Sequence, residues 1–173
     1  MRRPIVGIVG AGEASERSLA DARRLGWAVA QRGWIVLTGG RAAGVMAAAS
    51  AGAKEVPGSL TLGILPAAAG EVGPDVDVAV FTGLGDARNV VNVLTSDAVV
   101  ACGVEAAGTA SEVAHALKAG KPVILLGADE PVLTFFRQLR GGERILEAES
   151  VDDAVRLLET EVGLRPMPGS TQI

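Results

Sequence analysis

The amino-acid sequence predicts a doubly wound α/β protein, with a mainly parallel sheet of six to seven strands and helices on both faces. Short β-branched runs alternate with longer alanine-rich segments, as expected when helices cover both sides of a parallel sheet. Glycine supplies 23 of the 173 residues, roughly twice ordinary usage. Hydrophobic residues make up 49% of the chain, so a chain of this length can bury one sizeable core.

The first half of the chain is predicted to contain four strands and two helices. Ile5–Val9 is the first strand, and Glu16–Gln31 is a helix because its apolar residues recur at helical spacing. Gly33 is suited to end that helix. The remaining elements are a strand over Trp34–Leu37, a small-residue helix over Ala43–Ala53, a strand over Leu60–Leu65, and a strand over Asp77–Phe81.

The second half continues the alternation, with a weaker signal towards the end. The predicted elements are a helix over Asp86–Leu94, a strand over Ala98–Cys102, a helix over Ala110–Ala119, a strand over Val123–Leu126, a helix over Val132–Leu139, an edge strand over Arg144–Leu146, and a helix over Asp152–Glu161. Ser150 would cap the final helix. Residues 1–164 therefore form one Rossmann-like domain, and the proline-containing tail over 165–173 is expected to be flexible.

Charge and cysteine content narrow the class of protein. The 16 Lys and Arg residues against 20 Asp and Glu leave a net charge of −4, which argues against sequence-independent binding to nucleic acid. Cys102 is the only cysteine, so an intramolecular disulfide and a cysteine-cluster metal site are excluded. No apolar run reaches the ~18 residues of a membrane helix. We expect a cytoplasmic protein that uses no metal and no membrane.

Glycines follow the first predicted strand, at the edge where open parallel sheets bind ligands. Gly10 and Gly12 form a G-x-G pair like the opening of a dinucleotide fingerprint, but Ser15 stands at the third glycine position. A tight strand-to-helix turn explains the pair equally well. The loop is therefore a candidate ligand contact without the full dinucleotide pattern.

A second glycine-rich turn follows the second strand. Gly39, Gly40 and Gly44 precede the start of a predicted helix, where a cluster of backbone N–H groups suits a phosphate. The alternative is a flexible turn packed against the first strand.

Two charged residues fall at later strand ends. Arg88 lies in the first turn of a helix begun by Asp86, where the helix dipole disfavours a cation by a few tenths of a kcal/mol. It is either a surface arginine or a clamp for an anion. Thr109 with Glu112 three residues later forms a capping box, which would explain both residues. A carboxylate there could alternatively stabilise an oxocarbenium ion or activate water.

Taken together, these segments resemble the LOG-like superfamily, long labelled "possible lysine decarboxylase". The resemblance covers about Ile5–Leu126, is greatest to the molybdenum-cofactor-carrier-like branch, and extends at the level of the fold to the DNA-processing protein DprA. It is carried, in chain order, by Thr38-Gly39-Gly40 with Gly44-Val45-Met46, by Gly83–Val90, by Gly108-Thr109-x-x-Glu112, and by Lys118-x-Gly120-Lys121-Pro122-Val123.

The resemblance implies a homodimer or homotetramer that binds a small phosphorylated ligand at the strand ends. The residues expected to contact it are Gly10, Gly12, Gly39, Gly40, Gly44, Arg88, Asn89, Gly108 and Thr109. The first hypothesis is a carrier-like protein that holds a nucleotide or a molybdopterin-type cofactor and requires no other cofactor. The alternative is a phosphoribohydrolase that cleaves the N-glycosidic bond of a nucleoside 5′-monophosphate, with Arg88 and Glu112 as catalytic residues. Nothing in the sequence suggests a pyridoxal phosphate lysine, so lysine decarboxylation has no chemical support.

One segment departs from the family pattern. Val104–Ala107 stands where the family has a glycine-rich stretch, and Glu105 is expected to place a negative charge where a phosphate would lie. Unless Glu105 swings away, the substitution Glu105→Gly should raise nucleotide affinity by about 1–3 kcal/mol. This departure is the reason for ranking binding above catalysis.

Overall fold

The computed structural model describes residues 2–170 and contains one seven-stranded sheet in the order β4-β3-β2-β1-β5-β6-β7, in which every neighbouring pair is parallel. The strands are β1 (Ile5–Val9), β2 (Ile35–Thr38), β3 (Thr61–Leu65), β4 (Val78–Phe81), β5 (Ala98–Cys102), β6 (Val123–Leu126) and β7 (Ile145–Ala148). The chain builds outward from β1 to β4 and then returns to β5 beside β1, so the strand order reverses between β1 and β5. Ligands of such sheets bind at this reversal, at the carboxyl ends of the strands.

Six helices cover the two faces of the sheet, as the sequence predicts. They are α1 (Glu16–Gln31), α2 (Gly44–Lys54), α3 (Arg88–Thr95), α4 (Ala107–Lys118), α5 (Glu130–Gln138) and α6 (Val151–Thr160), with single turns of 3₁₀ helix at Gly85–Ala87 and Gly142–Arg144. The core is divided into two layers because successive strand residues face opposite sides. In β5, Val100 packs into the layer beneath α1, α2 and α6, whereas Val99 and Ala101 pack beneath α3, α4 and α5.

Small residues allow α1 and α2 to lie very close together. A side chain at Gly26 of α1 would collide with the backbone of Ala49, and one at Gly52 of α2 would collide with the backbone of Arg23. The alanine- and glycine-rich composition of α2 therefore reflects helix packing as much as helix propensity.

The structure corrects the start of α4. The helix begins at Ala107 rather than Ala110, with Ala106 as a cap that supplies no side-chain hydrogen bond. Thr109 thus lies inside the first turn, and the predicted capping box of Thr109 and Glu112 is wrong. The extended backbone of Ala106 is followed directly by Ala107, a good helix former, so the helix starts earlier than a polar cap would place it. In contrast, Ser150 caps α6 as predicted, because its Oγ accepts a hydrogen bond of 3.2 Å from the backbone N–H of Asp153.

The segment after α6 runs beside the turn between α1 and β2. Trp34 Nε1 donates to the carbonyl of Arg165 over 2.8 Å, and the backbone N–H of Met167 donates to the carbonyl of Arg32 over 2.9 Å. Residues 171–173 of the predicted flexible tail lie outside the described residues. Across residues 2–170, none of the helices has the length and apolar character needed to cross a bilayer.

Candidate functional site

A cavity of about 210 Å³ opens at the carboxyl end of β1, where the strand order reverses. Its walls are the loops after β1 and β2 and the first turns of α3 and α4. Most of the sequence-predicted site residues line it, namely Gly10, Gly12, Gly39, Arg88, Asn89, Gly108, Thr109 and Glu112. Residues from four separate segments are thus brought together at the edge that the fold class predicts.

Gly40 and Gly44 do not line the cavity but shape the loop between β2 and α2. Gly44 has a φ of +51°, and a side chain there would collide with the carbonyl of Ala11. Gly40 has a φ of +74°. Both positions therefore require glycine for the path of the backbone, which holds the β2–α2 loop against the β1–α1 loop.

The floor of the cavity holds a buried pair of opposite charges. Arg88 Nη1 lies 3.8 Å from Glu112 Oε1, and the two side chains are only 10% and 8% exposed. Asn92 Nδ2 donates a hydrogen bond of 2.9 Å to the same carboxylate oxygen. Burial raises the pKa of Glu112, opposed by the hydrogen bond from Asn92 and the charge of Arg88. Burial also lowers the pKa of Arg88, opposed by the attraction of Glu112.

The floor also contains hydrogen-bonding groups without partners. Within residues 2–170, the buried side-chain polar atoms that lack a partner are Arg88 Nε, Asn92 Oδ1, Thr109 Oγ1 and Ser59 Oγ. Arg88 and Thr109 line the cavity, and Asn92 is bonded to Glu112. Buried polar groups nearly always find partners within a protein. Two of these unpartnered groups, Arg88 Nε and Thr109 Oγ1, therefore lie at one polar cavity.

Glu105 does not point into the cavity, contrary to the expectation from the sequence. Its carboxylate accepts hydrogen bonds from the backbone N–H of Ser15, from the Ser15 hydroxyl and from the Ser18 hydroxyl, at 2.9, 2.9 and 2.6 Å. These hydrogen bonds, that of Ser18 first, lower the pKa of Glu105. The carboxylate is drawn to the N-terminus of α1, where unpaired N–H groups and the helix dipole attract an anion. The repulsion of a phosphate by Glu105, which the sequence leads us to expect, therefore has no basis in this structure.

Arg41 is a cavity residue that sequence reasoning missed. It follows Gly40 in the β2–α2 loop, is exposed, and lines the mouth of the cavity. Among the described residues it forms no ion pair. Its charge acts on Arg88 and contributes to the lowered pKa of that guanidinium. The available signal was a basic residue placed directly after a glycine-rich turn at a strand's carboxyl end.

The described residues hold no evident metal site. Within 2–170, no three or more His, Cys, Asp or Glu side chains are grouped so that they could hold a metal ion. Cys102 ends β5 and is only 1% exposed, and burial raises the pKa of its thiol. It serves as a small apolar core residue.

The fold and the cavity define a Rossmann-like protein with a polar cavity at the strand ends. Comparison with known proteins gives the family. Residues 3–155 match the model of the SLOG cluster4 family, and the chain belongs to that family. This agrees with the LOG-like resemblance carried by the sequence motifs.

Solved structures with high similarity include the molybdenum cofactor binding protein from the phototrophic bacterium Rippkaea orientalis. The two chains are 46% identical with a TM-score of 0.88, over 94% of this chain and 99% of that one. The molybdenum cofactor carrier protein from Chlamydomonas reinhardtii is 42% identical with a TM-score of 0.87, over the same shares. DNA processing protein A from Helicobacter pylori is 18% identical with a TM-score of 0.67, over 91% of this chain and 81% of that one, and shares the fold.

Proposed function

We propose that this protein binds a phosphorylated pterin of the molybdenum cofactor type in the cavity at the strand ends and holds it without chemical turnover. The observation that carries the proposal is that two buried side-chain groups without partners, Arg88 Nε and Thr109 Oγ1, belong to residues that line one cavity. Similarity to two proteins described as molybdenum cofactor binding or carrier proteins supports the choice of ligand.

The residues present suit such a ligand. A pterin presents amino, ring N–H and carbonyl groups on one edge, and Glu112 and Arg88, which line the cavity, offer a complementary acceptor and donor. Gly10, Gly12, Gly39 and Gly108 line the cavity without side chains, so a flat ring and a phosphate can approach the backbone closely. The metal, when present, travels as part of the ligand, and the chain's own residues hold the organic part.

A second candidate function is hydrolysis of the N-glycosidic bond of a nucleoside 5′-monophosphate. It is favoured by one observation, the juxtaposition of Arg88 and Glu112 in the cavity. Arg88 would orient the substrate, and Glu112 would stabilise the developing positive charge on the ribose or activate water. Binding is ranked first because the chain is 46% and 42% identical, over 94% of its length, to two proteins described as molybdenum cofactor binding or carrier proteins.

Large apolar side chains on one edge of the sheet and on α3 are exposed. Val78, Val80 and Phe81 on the edge strand β4 and Leu94 on α3 are large apolar side chains with 39–57% of their surface exposed. Exposed apolar patches of this kind are typical of subunit interfaces. We propose that these residues are covered by a second copy of the chain in a homodimer or homotetramer.

Isothermal titration with AMP, GMP and molybdopterin tests the binding function. We expect molybdopterin to bind to the wild type and to bind less tightly to Arg88→Ala, whereas Arg140→Ala should bind as the wild type does. Arg140 is an exposed arginine outside the cavity, so its substitution controls for the loss of a positive charge elsewhere on the protein, and circular dichroism checks that Arg88→Ala is folded. Absence of binding to all three ligands contradicts the proposal. Chromatographic detection of free base after incubation with AMP or GMP, abolished in Glu112→Gln, would instead establish the hydrolase.

A further inference from the structure

The charges that line the cavity differ between its floor and its mouth. At the floor, the buried guanidinium of Arg88 is paired with Glu112 and lies against Gly39 of the β2–α2 loop. At the mouth, two exposed charged side chains line the cavity, Arg41 and Asp86, and Arg41 forms no ion pair among the described residues. Because the charge of Arg88 is already offset by a carboxylate, Arg41 is the cation that attracts a dianionic phosphate to the mouth.

The position of Arg41 also fits a phosphate geometrically. Its Nη2 lies 3.5 Å from the point where a Cβ at Gly12 would stand, so the guanidinium reaches over the β1–α1 loop. The N-cap of α2, Ala43, provides no side-chain hydrogen bond to the first turn of that helix. In contrast, the N-terminus of α1 is already occupied by the Glu105 carboxylate. The helix N-terminus at which dinucleotide-binding folds hold an anion is thus occupied by a carboxylate of this chain. Arg41 is the positively charged residue at the cavity that forms no ion pair among the described residues.

The floor suits an uncharged hydrogen-bonding ring. Glu112 Oε1 is engaged by Asn92 and lies near Arg88, which leaves Oε2 to accept from a ligand. The 2-amino-4-oxo edge of a pterin carries adjacent N–H donors and a carbonyl. A carboxylate can accept from those donors while a buried guanidinium N–H donates to the carbonyl. Arg88 Nε is such a donor without a partner.

We infer that the cavity recognises its ligand in two parts: Arg41 binds the phosphate at the mouth, and Glu112 with Arg88 binds the amino-oxo edge of the ring at the floor. The inference rests on the proposed function and assigns Arg41 as the residue that selects phosphorylated over unphosphorylated ligands. A phosphate at the mouth forms charge-assisted hydrogen bonds with the exposed guanidinium of Arg41. The ring is bound by Glu112 and Arg88, whose side chains are buried.

The test uses two probes that differ only in the phosphate. They are the oxidised, fluorescent pterin derivative of molybdopterin and the same compound after phosphatase treatment. Affinities for both are measured by fluorescence titration with the wild type and with Arg41→Ala, Glu112→Gln and Arg140→Ala, after circular dichroism has shown that each variant is folded.

We expect the wild type to bind the phosphorylated probe about 10- to 100-fold more tightly than the dephosphorylated one. Arg41→Ala should reduce that ratio to near one and leave affinity for the dephosphorylated probe unchanged. Glu112→Gln should weaken binding of both probes by the same factor, about tenfold, and leave the ratio of the two affinities unchanged. Arg140→Ala should change neither.

Two results would overturn the inference and leave the proposed function standing. The first is that Arg41→Ala still binds the phosphorylated probe much more tightly than the dephosphorylated one. The second is that Glu112→Gln reduces the ratio of the two affinities. If neither probe binds to the wild type, the proposed function and the inference fall together.

Discussion

The carboxylate of Glu105 accepts hydrogen bonds from both the backbone N–H and the hydroxyl of Ser15, each 2.9 Å long, although the two residues are 90 positions apart in the chain. This contact ties the β5–α4 loop to the N-terminus of α1. It satisfies a helix terminus that many nucleotide-binding folds leave open for a ligand phosphate. The segment Val104–Ala107 thereby places the Glu105 carboxylate at the N-terminus of α1 and outside the cavity.

The first prediction concerns the pH dependence of this contact. Hydrogen bonds lower the pKa of Glu105 in the folded protein, so its stabilising effect is complete above the ordinary glutamate pKa of about 4.3. The effect is lost as the pH falls through the lower folded value. Glu105→Gln should reduce the free energy of unfolding by about 0.5–1 kcal/mol at pH 7. In urea titrations, the difference from the wild type should shrink below about pH 4. A difference that is equally large at pH 3 would contradict the assignment.

The same geometry changes the expected result for Glu105→Gly. The sequence alone predicts tighter binding of a phosphate, because a like charge would be removed from the site. Since the carboxylate faces Ser15 and Ser18 instead, we expect ligand affinity to stay within about twofold of the wild type. The melting temperature should fall, because the loop loses its attachment and gains backbone freedom. Titration of the phosphorylated pterin probe distinguishes the two expectations.

A prediction on stability follows from the buried pair at the floor. Arg88→Met leaves the Glu112 carboxylate buried without its counter-charge, which should cost about 3 kcal/mol or more of unfolding free energy. Adding Glu112→Gln removes that charge and should restore at least about 1 kcal/mol. Chemical unfolding of the wild type, both single variants and the double variant gives the coupling energy. If the loss of unfolding free energy in the double variant equals the sum of the losses in the two single variants, the two side chains do not interact across the 3.8 Å that separates them.

Most elements of the fold are predictable from local patterns. The strand bounds Ile5–Val9, Ala98–Cys102 and Val123–Leu126 and the helix Glu16–Gln31 agree with the structure, because each is set by hydrophobic periodicity and by nearby glycines. The start of α4 was not predictable in this way. A threonine and a glutamate three residues apart match a capping box. Only the structure shows that the helix begins at Ala107, so that Thr109 lies inside it and lines the cavity together with Glu112.

The candidate site was predictable only in part, for a physical reason. Glycines at strand ends mark where the backbone can approach a ligand, and Gly10, Gly12, Gly39 and Gly108 do line the cavity. The direction of a charged side chain depends on partners that are distant in the sequence. Glu105 finds Ser15, and Arg41 is left facing the cavity, only after the sheet has assembled. No local pattern contains that information.

Ring binding should depend on pH through Glu112. Burial raises its pKa above the ordinary glutamate value, against the opposing effects of Asn92 and Arg88. On acidification, the Glu112 carboxylate therefore becomes protonated at a higher pH than an exposed glutamate does, and it then loses its capacity as a charged acceptor for the ligand. We expect affinity for the dephosphorylated pterin to fall as the pH is lowered from neutrality towards the ordinary glutamate pKa of about 4.3, and Glu112→Gln to remove this dependence. The unphosphorylated probe is needed because a phosphate itself titrates near pH 6. A wild-type affinity that is flat over this range would contradict the assigned role.

Self-association is expected to depend on the apolar patch of β4 and α3. Leu94 is 57% exposed, and in the proposed interface Leu94→Glu would bury a charge between two copies of the chain. The mass measured by light scattering should shift from an oligomer to 17.5 kDa. Leu139→Glu serves as the control, because Leu139 is another exposed leucine, 38% exposed, directly after α5, and it should leave the mass unchanged. A monomeric wild type would contradict the prediction directly.

The last prediction separates stability from function at Gly108. This residue lies in the first turn of α4 and lines the cavity, and a Cβ added there would meet no atom within 4 Å. Alanine is favoured over glycine inside a helix, so Gly108→Ala should raise the free energy of unfolding by about 0.5–1 kcal/mol. The new methyl group would project into space that the ligand occupies and hold it away from the backbone. We therefore expect a higher melting temperature together with at least about tenfold weaker binding of the phosphorylated pterin. If Gly108→Ala is more stable and binds as tightly as the wild type, the ligand does not lie against the start of α4.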